Sequence, residues 1–147
     1  MTVKRLAALL CALTLCLAGL SAAAEMANEG ENDMRMWIGE TLVTVAWEDN
    51  AAVEALRALA EEGLTIEMSM YGGFEQVGAI GQSLPRDDAR TTTASGDIVL
   101  YSGDQLVVFY GSNSWAYTRL GHVTDQTPEQ MRELLGSGDV TITLSMK

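Results

Sequence analysis

The sequence predicts a mainly β domain, a small antiparallel or mixed β-barrel with two short helices. Short runs of alternating apolar and polar residues recur along the chain, and each has the period of a half-buried strand. Two other segments have apolar residues at helical spacing. The last apolar run could pair with the first, which would remove an exposed sheet edge and close the barrel.

The first 24 residues have the features of a secretory signal peptide. Basic residues precede an apolar run from Leu6 to Leu20, and small residues follow up to Ala24. The run is shorter than the roughly 20 residues that cross a bilayer, and no later run approaches that length. We therefore expect cleavage near Ala24, no membrane span and an exported protein, either periplasmic or secreted.

Both cysteines, Cys11 and Cys16, lie in this first segment. Each follows a leucine, where a lipoprotein signal requires a small residue, so lipidation is the weaker alternative. Cleavage would leave a domain without a disulfide, a thiol nucleophile or a thiolate metal site. Such a domain must be held together by its hydrophobic core.

The charge balance is acidic, with 9 basic and 20 acidic residues and a net charge of −11. This balance argues against nucleic acid or an anionic membrane surface as a partner and favours a soluble exported protein. The sequence has one histidine and no Asp-x-Asp-x-Asp-Gly pattern, and the glycines between Gly73 and Gly81 fit no phosphate loop. We therefore expect no metal and no cofactor.

The barrel domain is expected at residues 34–147, after an acidic, aperiodic leader at residues 25–33 that we expect to be disordered. Its first element is a β-hairpin over residues 34–47. An amphipathic helix over residues 51–62 follows, for which Asp49-Asn50 can supply the cap.

The middle of the domain begins with residues 64–70, where apolar and polar side chains alternate cleanly and predict a half-buried strand. A glycine-containing turn over residues 71–75 ends it. The next residues, 76–84, are ambiguous because glycines interrupt the pattern, and residues 91–94 could form a short edge strand.

The centre of the domain is a hairpin of two apolar strands, residues 96–101 and 105–110. In residues 106–110 both side-chain parities are apolar, so we expect this strand to be covered on both faces. A polar, aromatic loop is predicted to follow at residues 112–121.

The carboxyl end of the domain contains a strand, a helix and a final strand. Residues 119–124 predict the first strand. Thr127 as cap, Pro128 at the first helical position and Gln130 reaching back predict the start of the second helix. Alternation over residues 140–146 predicts the closing strand.

Six motifs stand out along the domain. The first three are Met-Arg-Met-Trp-Ile-Gly from Met34, Trp-Glu-Asp-Asn-Ala-Ala from Trp47 and Gln-Ser-Leu-Pro from Gln82. The other three are Gly-Asp-Ile-Val-Leu-Tyr from Gly96, Val-Val-Phe-Tyr-Gly-Ser-Asn-Ser-Trp-Ala-Tyr-Thr-Arg-Leu-Gly from Val107, and Gly-Ser-Gly-Asp-Val-Thr-Ile-Thr from Gly136. Together they resemble the bacterial cyclophilin-like domain family over residues 34–146. The resemblance implies a cyclophilin-like closed β-barrel with two capping helices. It implies little about activity, because members of this family are not generally established prolyl isomerases.

The candidate site combines aromatic rings with small polar side chains near the end of the central hairpin, a combination suited to binding in a barrel mouth. The turn after Gly72-Gly73 would form the opposite lip. We predict a monomeric, non-enzymatic binding module for a peptide or small ligand; the alternatives for these segments are a packed loop and a simple chain reversal. The predicted ligand-binding residues are Phe74, Glu75, Tyr110, Asn113, Ser114, Trp115, Tyr117 and Arg119.

A peptidyl-prolyl isomerase is the alternative function. The resemblance implies that such an enzyme would aim an arginine at its substrate, but the Phe-His-Arg segment of authentic cyclophilins is absent. Arg119, beside Trp115 and Tyr117, is the best candidate for that cation, and its alternative is a surface ion pair. His122 is predicted to be a strand histidine rather than the base of a serine nucleophile.

Overall fold

The structure, a computed structural model, describes residues 33–146. The predicted signal peptide and the predicted leader up to residue 32 lie outside the described residues. Within the described part of the chain, no helix is long and apolar enough to cross a membrane.

The described residues form eleven strands and two helices. The strands are β1 (Arg35–Ile38), β2 (Thr41–Val43), β3 (Val45–Trp47), β4 (Leu64–Glu67), β5 (Ser69–Tyr71), β6 (Glu75–Ala79), β7 (Ala89–Thr92), β8 (Asp97–Tyr101), β9 (Gln105–Phe109), β10 (Ser114–Val123) and β11 (Thr141–Ser145). The helices are α1 (Ala51–Ala60) and α2 (Pro128–Leu135).

The strands form two antiparallel sheets. The smaller sheet has the order β2-β1-β11-β4, and the larger has the order β3-β10-β8-β9-β6-β5, with β7 paired to β10. The last strand pairs with the first, as expected, and Met36 of β1 lies opposite Leu144 of β11.

The mainly β prediction is confirmed, but the closed barrel is wrong, because strand pairing among the described residues leaves both sheets open. The chain passes from the smaller to the larger sheet at Thr44, between β2 and β3, and again at Met68, between β4 and β5. The pairing of β1 with β11 therefore lies inside the smaller sheet. Alternation in a sequence records which face of a strand is buried, but it does not record where a strand changes partners.

The first change of partner at Thr44 divides the predicted second strand of the amino-terminal hairpin into β2 and β3. The change at Met68 likewise divides the predicted strand over residues 64–70. Beyond that point the alternation no longer faces the core, and Met70 is 38% exposed although it has the parity of the buried Ile66 and Met68.

Both helices begin where their caps predict. The Asn50 side chain accepts a hydrogen bond from the backbone N–H of Val53 at 2.9 Å. Thr127 and Gln130 exchange side-chain and backbone hydrogen bonds in a complete capping box. Helix α1 ends at Ala60, two residues earlier than predicted, because the chain turns there into Gly63, which has a φ of +81°.

The main core lies where β1, β4 and β11 of the smaller sheet meet α1 and one face of the larger sheet. Its largest fully buried side chains include Met36, Leu56, Ile66, Leu106 and Ile142. The other face of the larger sheet carries a second, smaller apolar cluster, which we call the groove-side cluster. It consists of Val99, Val107, Phe109 and Tyr117.

Strand β9 is buried on both faces, as its composition predicts. Leu106 and Val108 belong to the main core, whereas Val107 and Phe109 belong to the groove-side cluster. All four are at most 1% exposed. The central hairpin therefore separates the two apolar clusters.

The predicted polar loop over residues 112–121 is wrong for most of its length, because β10 occupies Ser114–Val123. The first part of β10 pairs with the edge strand β7, from Ser114 opposite Thr92 to Tyr117 opposite Ala89. Strands at a sheet edge often carry polar side chains, so the composition of the first part of β10 resembles that of a loop. A β-bulge between Arg119 and Gly121 interrupts the pairing of β10 with β8.

Candidate functional site

A groove of about 790 Å³ lies over the groove-side cluster. It contains five of the eight predicted ligand-binding residues, namely Phe74, Glu75, Asn113, Trp115 and Tyr117. It also contains six residues that the sequence did not identify, namely Tyr71, Gly72, Val77, Tyr101, Gln105 and Val107.

The floor of the groove follows from the register of three neighbouring strands. Glu75 of β6 lies opposite Phe109 of β9, and Val77 lies opposite Val107. Val107 in turn lies opposite Val99 of β8. Directly opposed residues point to the same face of a sheet, so these side chains form one surface.

Aromatic rings form the walls. The rings of Tyr71 and Phe74 are perpendicular, with centroids 6.3 Å apart. On the other side, Tyr117 packs against Tyr101 at a centroid distance of 6.2 Å and against Phe109 at 5.7 Å. Edge-to-face packing of this kind adds stability beyond the buried area, so we expect these walls to be preformed.

Trp115 lies at the rim of the groove, where 55% of the residue is exposed. An exposed tryptophan leaves a large apolar ring in contact with water. A ligand that covered this ring would gain hydrophobic free energy.

The turn between β5 and β6 positions Phe74. Gly72 and Gly73 have φ values of +63° and +73°, a backbone conformation that favours glycine. The carbonyl oxygen of Phe74 accepts hydrogen bonds from the N–H groups of Tyr110 and Gly111, both at 2.9 Å. These two bonds fix the turn against the end of β9 and so hold Phe74 at the groove.

Glu75 is the acidic residue of the groove. It is 6% exposed, and its Oε2 atom has no hydrogen-bond partner among the described residues. Burial raises the pKa of this carboxyl group to about 7. The residues that line the groove include no lysine, arginine or histidine that could neutralise the charge of the Glu75 carboxylate.

Tyr117 and Asn113 supply a second polar feature. The Asn113 amide Nδ2 donates a hydrogen bond to the Tyr117 hydroxyl at 2.9 Å. Burial is the main reason that the pKa of Tyr117 is raised, and the nearby Glu75 adds to the effect. Tyr117 therefore remains protonated at neutral pH.

Three predicted binding residues lie outside the groove lining. Tyr110 is buried in the main core. The Ser114 hydroxyl is hydrogen-bonded to that of Thr92 at 2.7 Å. Arg119 Nη2 lies 3.5 Å from Asp97 Oδ2, so this partly exposed arginine forms an ion pair outside the groove.

Asp97 organises a small polar cluster. Besides Arg119, its carboxylate contacts His122 Nδ1 at 2.8 Å and accepts a hydrogen bond from the Ala94 N–H at 2.8 Å. His122 lies in β10, so the prediction of a strand histidine is confirmed. Its ring has a structural partner in Asp97.

The missed lining residues differ in how far the sequence could have identified them. The predicted central hairpin already places Tyr101 opposite Gln105, and the structure has this register. Two-residue periodicity then places both on the face of Val99 and Val107. Val77, in contrast, lies in the segment whose pattern was ambiguous, so no signal was available for it.

Across residues 33–146, the part of the chain that the structure describes, no group of three or more histidine, cysteine, aspartate or glutamate side chains is arranged to hold a metal ion.

Comparison with known proteins addresses the fold. The model of the Cyclophilin-like family matches residues 36–145. The solved structures include a hypothetical protein from Archaeoglobus fulgidus, determined in solution, with a TM-score of 0.56 and 13% sequence identity, covering 78% of this chain and 93% of that one. At this identity the likeness concerns the fold. Among curated proteins there is no match.

Proposed function

The chain belongs to the cyclophilin-like family, and we propose that it is an exported, monomeric binding module that takes a peptide or small ligand in its groove. The observation that carries this proposal is the groove itself. Its volume of about 790 Å³ suits a small ligand or a short peptide segment. Its aromatic walls and few polar groups are typical of a binding site.

The position of Arg119 favours binding over prolyl isomerisation. An isomerase of the cyclophilin type would need a cation beside the bound proline. Among the described residues no arginine lines the groove, and the guanidinium of Arg119 pairs with Asp97 instead. The binding proposal therefore assigns no catalytic residue.

Export is proposed from the pattern of residues 1–24, a basic start, an apolar run and small residues at the end. Mass spectrometry of the protein recovered outside the cytoplasm tests it. We expect a chain that begins near Glu25. A chain that retains Met1 would contradict the proposal.

Titration followed by NMR tests the binding proposal. The isotope-labelled protein is mixed with an acetylated, amidated Ala-Pro peptide and, separately, with 2-phenylethanol as a small neutral aromatic probe. We expect shifts of the Trp115 indole and of Glu75, Val77 and Val107, which line the groove. The peptide's cis/trans exchange, which takes tens of seconds or longer without a catalyst, is followed in the same sample.

Trp115→Ala should weaken binding of these probes about tenfold, because it removes the exposed aromatic ring at the rim of the groove that a ligand would cover. Leu42→Ala is the matched control, since Leu42 is also exposed, at 51%, but lies on β2 outside the groove. Accelerated peptide exchange would overturn the non-enzymatic assignment. Shifts confined to residues outside the groove would overturn the assignment of the site.

A further inference from the structure

We propose that the groove selects ligands that carry a protonated amine, and that the ammonium group of the ligand pairs with the Glu75 carboxylate. This inference rests on the proposed function, because it names the class of ligand for the same groove. It assigns Glu75 a role in specificity, whereas the aromatic walls supply contact area.

The missing partner of Glu75 is the first observation. Glu75 is only 6% exposed to solvent, and its Oε2 atom accepts no hydrogen bond from the described residues. Burying a carboxylate without a partner is unfavourable, and most buried acids are paired for this reason. An N–H donor from a ligand would supply the absent partner.

The composition of the walls is the second observation. Five aromatic residues line the groove, namely Tyr71, Phe74, Tyr101, Trp115 and Tyr117. The faces of such rings attract cations, an effect that strengthens when water is excluded. The groove therefore offers a cation both a counter-ion and aromatic faces.

The charge of the surroundings is the third observation. No lysine, arginine or histidine lies in the described lining, so the protein itself places no cation beside Glu75. The chain as a whole carries a net charge of −11. This charge would attract cations and repel anions on approach to the groove.

The groups that face Glu75 determine its pH dependence. They are Tyr71 from β5, Tyr101 from β8 and Tyr117 from β10, with the apolar Phe109 from β9 directly opposite. Burial raises the pKa of Glu75 to about 7. Glu75 is therefore the group in the groove whose charge we expect to change near neutral pH.

The affinity for an ammonium ligand should increase with pH through the pKa of Glu75. An ammonium ion pairs with the ionised carboxylate, so its affinity is greatest above pH 7. Below pH 7 the affinity should fall about tenfold for each pH unit, because a proton must first leave Glu75. A neutral ligand should show no such change.

Matched probes test the proposal. Calorimetric titrations with 2-phenylethylamine, which is protonated, and with 2-phenylethanol are made at pH 8.0 and pH 5.5. We expect the amine to bind at least tenfold more tightly than the alcohol at pH 8.0 and to lose about 30-fold in affinity at pH 5.5. In ¹³C spectra, the titration of the Glu75 carboxyl should shift to lower pH when the amine is present.

Glu75→Gln should remove both the preference for the amine and the pH dependence, so that the amine and the alcohol bind alike at both pH values. Glu67→Gln is the matched control, because Glu67 lies on the exposed face of β4, where its Oε2 accepts from the Thr141 hydroxyl. This control should leave both titrations unchanged.

The outcomes separate the two proposals. Equal binding of amine and alcohol to the native groove, or a preference for the amine that survives Glu75→Gln, would overturn the inference and leave the binding module standing. Absence of groove shifts with both probes and with the Ala-Pro peptide would overturn the inference and the proposed function together.

Discussion

Two carboxylic acids are buried on the larger sheet, and they differ in how many hydrogen-bond and ion-pair partners they have. Asp97 and Glu75 are 5% and 6% exposed. Asp97 has three partners, the Arg119 guanidinium, the His122 ring and the Ala94 N–H. Glu75 Oε2 has none among the described residues.

The fold therefore supplies partners for the Asp97 carboxylate, but it supplies none for Glu75 Oε2 among the described residues. The partners of Asp97 come from β10 and from the turn before β8, so this acid connects structural elements. The neighbours of Glu75 are aromatic and apolar and surround an open groove. Burying an unpaired acid lowers stability, and buried acids of this kind are concentrated at functional sites.

Among the substitutions that test this difference, Asp97→Ala should have the largest effect on the free energy of unfolding. It removes the acceptor of a partly buried backbone N–H and two charge-assisted contacts, so we expect a loss of about 3 kcal/mol in the free energy of unfolding. Urea denaturation measures the loss. Asp104→Ala, in an exposed turn, is the control and should change stability by less than about 0.5 kcal/mol. A loss as small as that of the control would show that Asp97 is dispensable.

Glu75→Gln should have the opposite sign above neutral pH. Burial raises the pKa of Glu75 in the folded protein to about 7, whereas the ordinary pKa of the free group is 4.5. The folded state therefore binds more protons between these pH values, and the stability of the native protein falls as the pH rises through them.

Replacement by the neutral amide removes this dependence. At pH 8 we expect Glu75→Gln to be about 2 to 3 kcal/mol more stable than the native protein, and at pH 4.5 about equally stable. Paired urea denaturations at both pH values measure the difference. If the gain at pH 8 were absent, Glu75 would have a partner in solution and the comparison would fail.

Arg119→Gln should have the smallest effect. The arginine is 41% exposed and its contact with Asp97 is 3.5 Å long, so the pair contributes about 0.5 kcal/mol or less. Thermal denaturation measures the stability, and the probe titrations should be unchanged. A large loss of ligand affinity would instead place Arg119 in the binding site.

The sequence predicted those elements whose signals are local. The capping box at Thr127 and the cap at Asn50 depend on residues within one turn, and the structure contains both. Burial of β9 on both faces follows from its composition alone. The open sheets could not be predicted, because the changes of partner at Thr44 and Met68 depend on strands distant in sequence.

The site was predicted only in part, because some of its residues have local signals and others depend on contacts distant in sequence. Phe74 and Trp115 stand out as aromatic residues beside turns and small polar residues, and both line the groove. Tyr110 was misplaced because it follows a strand apolar on both parities, and its side chain turns to the main core. Arg119 was misplaced because its ion-pair partner lies on β8, and the register that joins them depends on a bulge.

The pairing of the first strand with the last has a consequence for the order of folding. Arg35 lies opposite Ser145, so this contact joins the two ends of the described chain. The hairpin of β8 and β9, in contrast, closes a loop of a few residues. Closing the longer loop loses more chain entropy, and folds rich in such distant contacts form slowly. We expect the hairpin to nucleate the domain and the smaller sheet, which joins distant parts of the chain, to form last.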